Sequence, residues 1–263
     1  MAIKLTTTKK SSSHVKVLCY GDAGVGKTVL CSTAPSPVII SAEAGLLSVS
    51  HLDIPVIEVK SVQDVKDAYR FITEAQEAKS FETACLDSIT EIAQVLLTQY
   101  KSEEKDPRQA YGRLIDDMSS LIRQFRDLKG KHVYFSAKMT RMEDDYTGIT
   151  TFKSMMPGKA LVNDLPFFFD EVFALRIGAA EDKSTFRYIQ TQPDLQYAAK
   201  DRSGKLDKME RPDLTFIFDK ILKRNDESKE KEKEKEIENK EEPKAEQKQK
   251  EKAEPEEQIK KQA

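Results

Sequence analysis

Eight consecutive residues, Gly21-Asp22-Ala23-Gly24-Val25-Gly26-Lys27-Thr28, fit the spacing G-x-x-x-x-G-K-[ST] completely. Glycines at those positions let the backbone curl until its N–H groups face inward, the geometry that a chain of phosphates requires. Lys27 would bridge β- and γ-phosphate oxygens and the Thr28 hydroxyl would ligate Mg²⁺. Val29 would follow in the first turn of a helix whose positive dipole end adds to the cradle. The ligand so implied is ATP with Mg²⁺. An ordinary glycine-rich turn is the competing reading. Against it stands the apolar run from Val15 to Tyr20, which feeds directly into the segment.

Two acids could complete such a site. Asp87 closes the apolar run Thr83-Ala84-Cys85-Leu86, and a carboxylate at a strand end would hold the Mg²⁺ hydration shell. Glu43 lies just past a second buried run, Pro37 to Ala42, where it could orient or deprotonate an attacking water. A helix-capping acid is the alternative for Glu43.

The elements that must position these groups follow from hydrophobic patterning. Strands are predicted at residues 15–20, 37–42, 54–59, 81–86 and 132–137, with a late pair at 171–177 and 186–190. Helices are predicted from Lys27, from Ser61 and Ser88 through capping-box spacing, and over 111–128. A last helix carries Pro212 in its first turn. Residues 101–109 read as a charged loop, and 139–165 as a long stretch bearing Gly, Asp and Met. The class is α/β: a mainly parallel twisted sheet flanked by helices, with a late antiparallel strand pair.

Composition divides the chain. Charged residues reach 33% of 263 and concentrate after Asp226, where Ile237 and Ile259 are the sole large apolar side chains. Such a segment cannot offset its ordering entropy. The expectation is an ATPase core over 1–225 and a disordered charged tail over 226–263. A formal net charge of −2 excludes a global basic field, so any nucleic-acid contact must be a local patch. Cys19, Cys31 and Cys85 match no zinc spacing and read as buried free thiols. No signal peptide and no run of about 18 apolar residues is evident, which points to the cytoplasm and away from a membrane. His14, His51 and His132 show no ligand spacing; His132 reads as core or strand edge. Phe167, Phe168 and Phe169 read as core.

Taken in order, these segments resemble the RecA-like recombinase core, most of all its short core-only bacteriophage members, the recombination and single-strand annealing ATPases. Ile40-Ser-Ala-Glu-Ala-Gly-Leu46 resembles that family's I-D-A-E-H-A-L, whose glutamate is the catalytic base and falls on Glu43. Leu86-Asp-Ser-Ile-Thr90 resembles its V-D-S-V Walker B segment, whose aspartate falls on Asp87. Lys138 stands where the family has the glutamine that senses the γ-phosphate. Pro157-Gly-Lys-Ala-Leu161 resembles the G-G-N-A-L that closes the second DNA-binding loop, which makes 139–158 that loop. Lys200-Asp-Arg202 resembles the K-x-K pair that reaches into a neighbouring subunit's ATP site. That role requires an oligomer, since no second cation motif near the phosphate loop is apparent. The resemblance covers about residues 12–223; the family's separate N-terminal oligomerisation module and C-terminal domain have no counterpart here.

The resemblance implies ATP hydrolysis at subunit interfaces of a homo-oligomeric filament or ring on single-stranded DNA, promoting annealing or strand pairing. Arg141, Lys153 and Lys159 would be its DNA contacts, with Tyr146, Phe152, Met155 and Met156 available to wedge or stack. Glu143, Asp144 and Asp145 would oppose DNA, and a plain surface hairpin is the alternative. Residues 101–113, with Lys101, Lys105, Arg108 and Arg113, could form a first DNA loop or a solvated turn. The tail is a candidate contact for a single-strand binding protein. Other readings of the whole chain are a nucleotide-switched interaction protein, such as a helicase loader or packaging accessory, and a small-molecule kinase, for which no arginine-rich lid is evident.

Overall fold

The computed structural model describes residues 7, 13–43, 45–143 and 148–222. Residues up to Ile221 form one compact unit. The tail predicted over 226–263 and the acids Asp144 and Asp145 with Tyr146 lie outside the described residues.

The elements in chain order are β1 (Lys16–Gly21), α1 (Lys27–Ser32), β2 (Pro37–Ser41), β3 (Val56–Glu58), α2 (Val62–Glu74), β4 (Thr83–Asp87), α3 (Ile89–Glu103) and α4 (Pro107–Arg126). There follow β5 (His132–Glu143), β6 (Thr150–Ser154), α5 (Lys159–Asp164), β7 (Glu171–Ala179), β8 (Thr185–Gln190), β9 (Lys200–Asp201) and β10 (Met209–Glu210). A last helix, α6, covers 214–222. The sheet order is β10-β8-β7-β1-β5-β4-β2-β3, and the six strands from β7 to β3 run parallel. β8, β9 and β10 add antiparallel pairs at the β7 side. This is the predicted α/β class with a RecA-like arrangement: the strand that leads into the phosphate loop is central, and β5 separates it from β4.

The parallel strands are buried on both faces, which is why they read as continuous apolar runs. On one face Leu18, Tyr20, Ile40, Leu86 and Phe135 pack against buried residues of α2, α3 and α4. On the other, the Tyr134 hydroxyl donates to the Lys27 carbonyl of α1 at 3.1 Å, and the His132 ring stacks on Phe218 at 4.4 Å. The serine caps form as spaced: Ser61 Oγ accepts from Asp64 N–H at 3.2 Å, and Ser88 Oγ from Glu91 N–H at 3.3 Å. Cys19, Cys31 and Cys85 are buried free thiols.

Three expectations change. The predicted charged loop over 101–109 is mostly helix. α3 continues to Glu103 and α4 begins at Pro107, with the Asp106 carboxylate accepting from Arg108 N–H at 2.9 Å. Proline at the first helical position presents no N–H that needs a partner, so charge density does not prevent helix there. Residues 139–158 are not a free loop: β5 runs on to Glu143 and pairs antiparallel with β6. Of the three phenylalanines, Phe169 is fully buried but Phe167 is 79% exposed. A 3-10 turn over Leu165–Phe168 has about three residues per turn, so neighbours cannot share one face.

Candidate nucleotide site

β1 ends at Gly21 and the chain turns under the edge of β7. A Cβ on Gly21 would lie 2.7 Å from the Leu175 carbonyl oxygen and 2.9 Å from Val25 Cγ1, so no side chain fits there. Gly24 and Gly26 hold φ of 71° and 105°, a conformation that side chains resist. Gly26 precedes α1, and its carbonyl accepts from Leu30 N–H at 2.8 Å. The loop and the α1 N-terminus therefore form the cradle that the spacing implied.

Around it opens a cavity of about 680 Å³, whose lining includes Gly21, Asp22, Ala23, Gly24, Gly26, Lys27, Thr28 and Val29. Glu43, Asp87, Lys138 and Arg187 line it as well. Lys27 Nζ donates to the carbonyls of Gly21 and Asp22, each at 2.9 Å, which holds the ammonium over the loop. Thr28 Oγ1 donates to Asp87 Oδ2 at 2.7 Å, and Ser136 Oγ donates to Asp87 Oδ1. Burial pushes the Asp87 carboxyl above its ordinary range; the Ser136 and Thr28 hydrogen bonds oppose that shift and the Glu43 charge adds to it. A hydroxyl and a carboxylate side by side are hard oxygen donors. They fit Mg²⁺, which is commonly held by one or two protein ligands together with phosphates and water.

Glu43 accepts from Ser88 Oγ at 2.5 Å, and its backbone N–H donates to Ser41 Oγ at 3.2 Å. Its carboxylate thus lies in the cavity wall, held by the Ser88 hydroxyl. Lys138 Nζ pairs with the Glu91 carboxylate, which holds the lysine above its usual range. Met139 and Met155 also line the cavity, so the base of the β5–β6 hairpin forms part of its wall.

Other predicted site residues lie elsewhere. On the hairpin, Arg141 is opposite Phe152 and Lys153 is opposite Thr140. Lys159 opens α5. Arg108 and Arg113 are helical, and Arg113 is engaged by Glu103 at 2.6 Å and lies over the Tyr100 ring at 4.1 Å. Lys200 and Arg202 sit by the start of β7, at the end of the sheet opposite their own phosphate loop. Lys200 Nζ donates to the carbonyls of Pro166 at 2.7 Å and Phe169 at 2.5 Å, while Arg202 pairs with Asp170 at 2.9 Å.

The expectation that no second cation stands near the phosphate loop is corrected. Arg187 on β8 donates from Nε to the Val25 carbonyl at 2.9 Å. No local spacing announces it. Ile177 and Arg187 are paired across β7 and β8, beyond the level at which β1 ends, and only that register carries the guanidinium over the loop. Ser88, readable in sequence as a helix cap, also holds Glu43, and Ser136 holds Asp87 through the pairing of β5 beside β4.

No curated protein matches the chain. In structure it is similar to a KaiC-like protein from the hyperthermophilic archaeon Pyrococcus horikoshii OT3, at 16% identity over 66% of this chain and 76% of that one, with a TM-score of 0.38. It is also similar to an ATPase from the type III secretion system of pathogenic bacteria, at 15% identity over 72% of this chain and 58% of that one, with a TM-score of 0.46. Residues 13–203 match the AAA_24 family, described as an AAA domain, and that match spans most of the folded chain. The chain belongs to this AAA domain family and is a P-loop ATPase.

Proposed function

We propose that the protein hydrolyses ATP with Mg²⁺ and uses nucleotide state to set its grip on single-stranded DNA, as a recombination protein that promotes annealing or strand pairing. The observation that carries the reading is the shared wall. Lys138, Met139 and Met155 line the nucleotide cavity and form the base of the hairpin that bears Arg141 and Lys153.

In the chemistry so supported, Glu43 takes a proton from a water as its oxygen bonds to the γ-phosphorus and the bond to the β–γ bridging oxygen breaks. Ser88 holds that carboxylate in place. Lys27 leaves the loop carbonyls to neutralise charge on the β- and γ-phosphates. Thr28 and Asp87 would hold Mg²⁺, which supplies further neutralisation when bound. Lys138 is placed to register the γ-phosphate and to pass its presence to the hairpin. Lys200 and Arg202 could serve only a neighbour's site. Lys200 is committed to backbone carbonyls and Arg202 to the Asp170 carboxylate; Arg202 is the more exposed and so the stronger candidate, and the protein would act as a homo-oligomer, filament or ring. Among the described residues no helix is long and apolar enough to cross a membrane.

The alternative is a nucleotide-switched interaction protein, such as a helicase loader or packaging accessory. One experiment separates the two. ATP turnover and DNA affinity are measured with and without single-stranded DNA, for the wild type, Lys27→Ala and Arg141→Ala/Lys153→Ala. DNA-stimulated turnover is expected, abolished in the first variant. In the second, the log–log salt slope of DNA binding should fall by about one unit per lost contact. Absence of DNA binding in the presence of an ATP analogue would leave the interaction protein as the better account.

A further inference from the structure

The two flanks of the phosphate loop are chemically unlike. Glu43 follows β2, Asp87 ends β4 and Lys138 lies on β5, all on one side of β1 in the sheet. Arg187 comes from β8, on the other side of β1, and lines the same cavity. A nucleotide whose γ-phosphate is near Glu43 therefore extends its α- and β-phosphates and nucleoside toward Arg187.

The guanidinium is only partly used. Of its five N–H donors, Nε–H is given to the Val25 carbonyl at 2.9 Å. Among the described residues Arg187 has no other hydrogen-bond partner and no carboxylate pair. Gly26 lies beside it: a Cβ there would be 3.4 Å from Arg187 Nε, an ordinary contact, so it is the φ of 105° and not the guanidinium that favours glycine. The side chain is thus tethered to the loop through one edge, while the residue borders the cavity. A planar fork of donors in that position suits two phosphate oxygens.

Resting on the ATP-site reading above, we propose that Arg187 is a nucleotide-binding residue supplied in cis, contacting the α- and β-phosphates. It engages ATP and ADP alike, so it sets affinity and leaves the chemical step to the opposite flank. The Val25 tether couples this contact to the loop itself.

The test compares Arg187→Gln and Arg187→Lys with wild type. Calorimetry with ADP and with a non-hydrolysable ATP analogue, in Mg²⁺ and at two salt concentrations, gives affinities; steady-state assays give KM and kcat. Glutamine keeps a donor for the Val25 carbonyl and removes the charge; lysine keeps the charge. Arg187→Gln is expected to weaken both nucleotides by about tenfold, to flatten the salt dependence of binding, and to leave kcat within about twofold. Arg187→Lys should keep the salt dependence and recover only part of the affinity, because an ammonium keeps the charge but not the planar fork. Unchanged ADP affinity, or a fall in kcat at unchanged affinity, would overturn the proposal. So would equal losses in both variants with unaltered salt dependence, since that is the behaviour of a strut. If the wild type takes up no ADP with Mg²⁺, the ATP site itself fails, and that result is distinct from a wild type that binds and variants that bind equally well.

Discussion

The two ends of the parallel sheet use the same charged residue types for opposite purposes. At the N-terminal end of the strands, lysines close off backbone. Lys16 Nζ donates to the Lys131 carbonyl at 2.8 Å, Lys131 Nζ to the carbonyls of Ala78 and Phe81 at 2.6 Å, and Lys200 Nζ to those of Pro166 and Phe169. Burial pushes all three below the ordinary lysine range, Lys16 to about 8. At the C-terminal end, Lys138 and Arg187 border a cavity, and Lys138 is held high by the Glu91 carboxylate. Perturbed titration is often used to find functional sites. Here the downward shifts of the three lysines mark packing, while the raised Asp87 carboxyl lines the cavity, because desolvation measures what has been removed from water and not what the group will do.

The largest expected effect sharpens the functional end. Glu43→Gln keeps an acceptor for Ser88 but cannot take a proton, so kcat should fall by about two to four orders of magnitude while ADP affinity changes little; single-turnover assays beside calorimetry would check it. An equal loss in ADP binding would mean that Glu43 builds the cavity and does not act on water. Next comes the packing end. Lys131→Met leaves the Ala78 and Phe81 carbonyls without their donor and should cost about 1–3 kcal/mol in urea unfolding, with nucleotide affinity unchanged. A normal midpoint would erase the contrast between the two ends.

The smallest effect is a slope. Glu171 is buried, one of its carboxyl oxygens lacks a partner, and it lies beside Asp201; burial and the Asp201 charge push it to about 8. The native state then binds more protons than the unfolded chain between an ordinary carboxyl pKa and about 8. Unfolding free energy should therefore decrease as pH rises through that window, approaching about 1.4 kcal/mol per pH unit from this group, and level off above it. Glu171→Gln should flatten the profile, read by denaturant melts from pH 5 to roughly 9.

What could be read from sequence was contiguous. Eight adjacent residues carry the phosphate loop, and Ser61 and Ser88 cap their helices through partners three positions away. Asp87 and Glu43 were found as the ends of apolar runs. What could not be read depends on register between distant segments. Arg187 reaches Val25 only because β8 pairs with β7 in one register, and Ser136 reaches Asp87 only because β5 lies beside β4. The start of α4 was hidden for a different reason. Its first turns are rich in charge, and the Asp106-Pro107 cap was outweighed by that composition. At Phe167 an unbroken apolar run implies burial throughout, whereas the 3-10 turn points one ring outward.

β5 has a mechanical consequence. It is a single strand of 12 residues, and at about 3.3 Å per residue it is a rod of about 40 Å. Along it come His132 beneath the sheet, Ser136 against Asp87, Lys138 in the cavity wall and Arg141 in the hairpin. Its pairing passes from β1 at Lys138 to β6 at Met139 without a break, so the cavity wall and the arm of the hairpin that bears Arg141 are one strand.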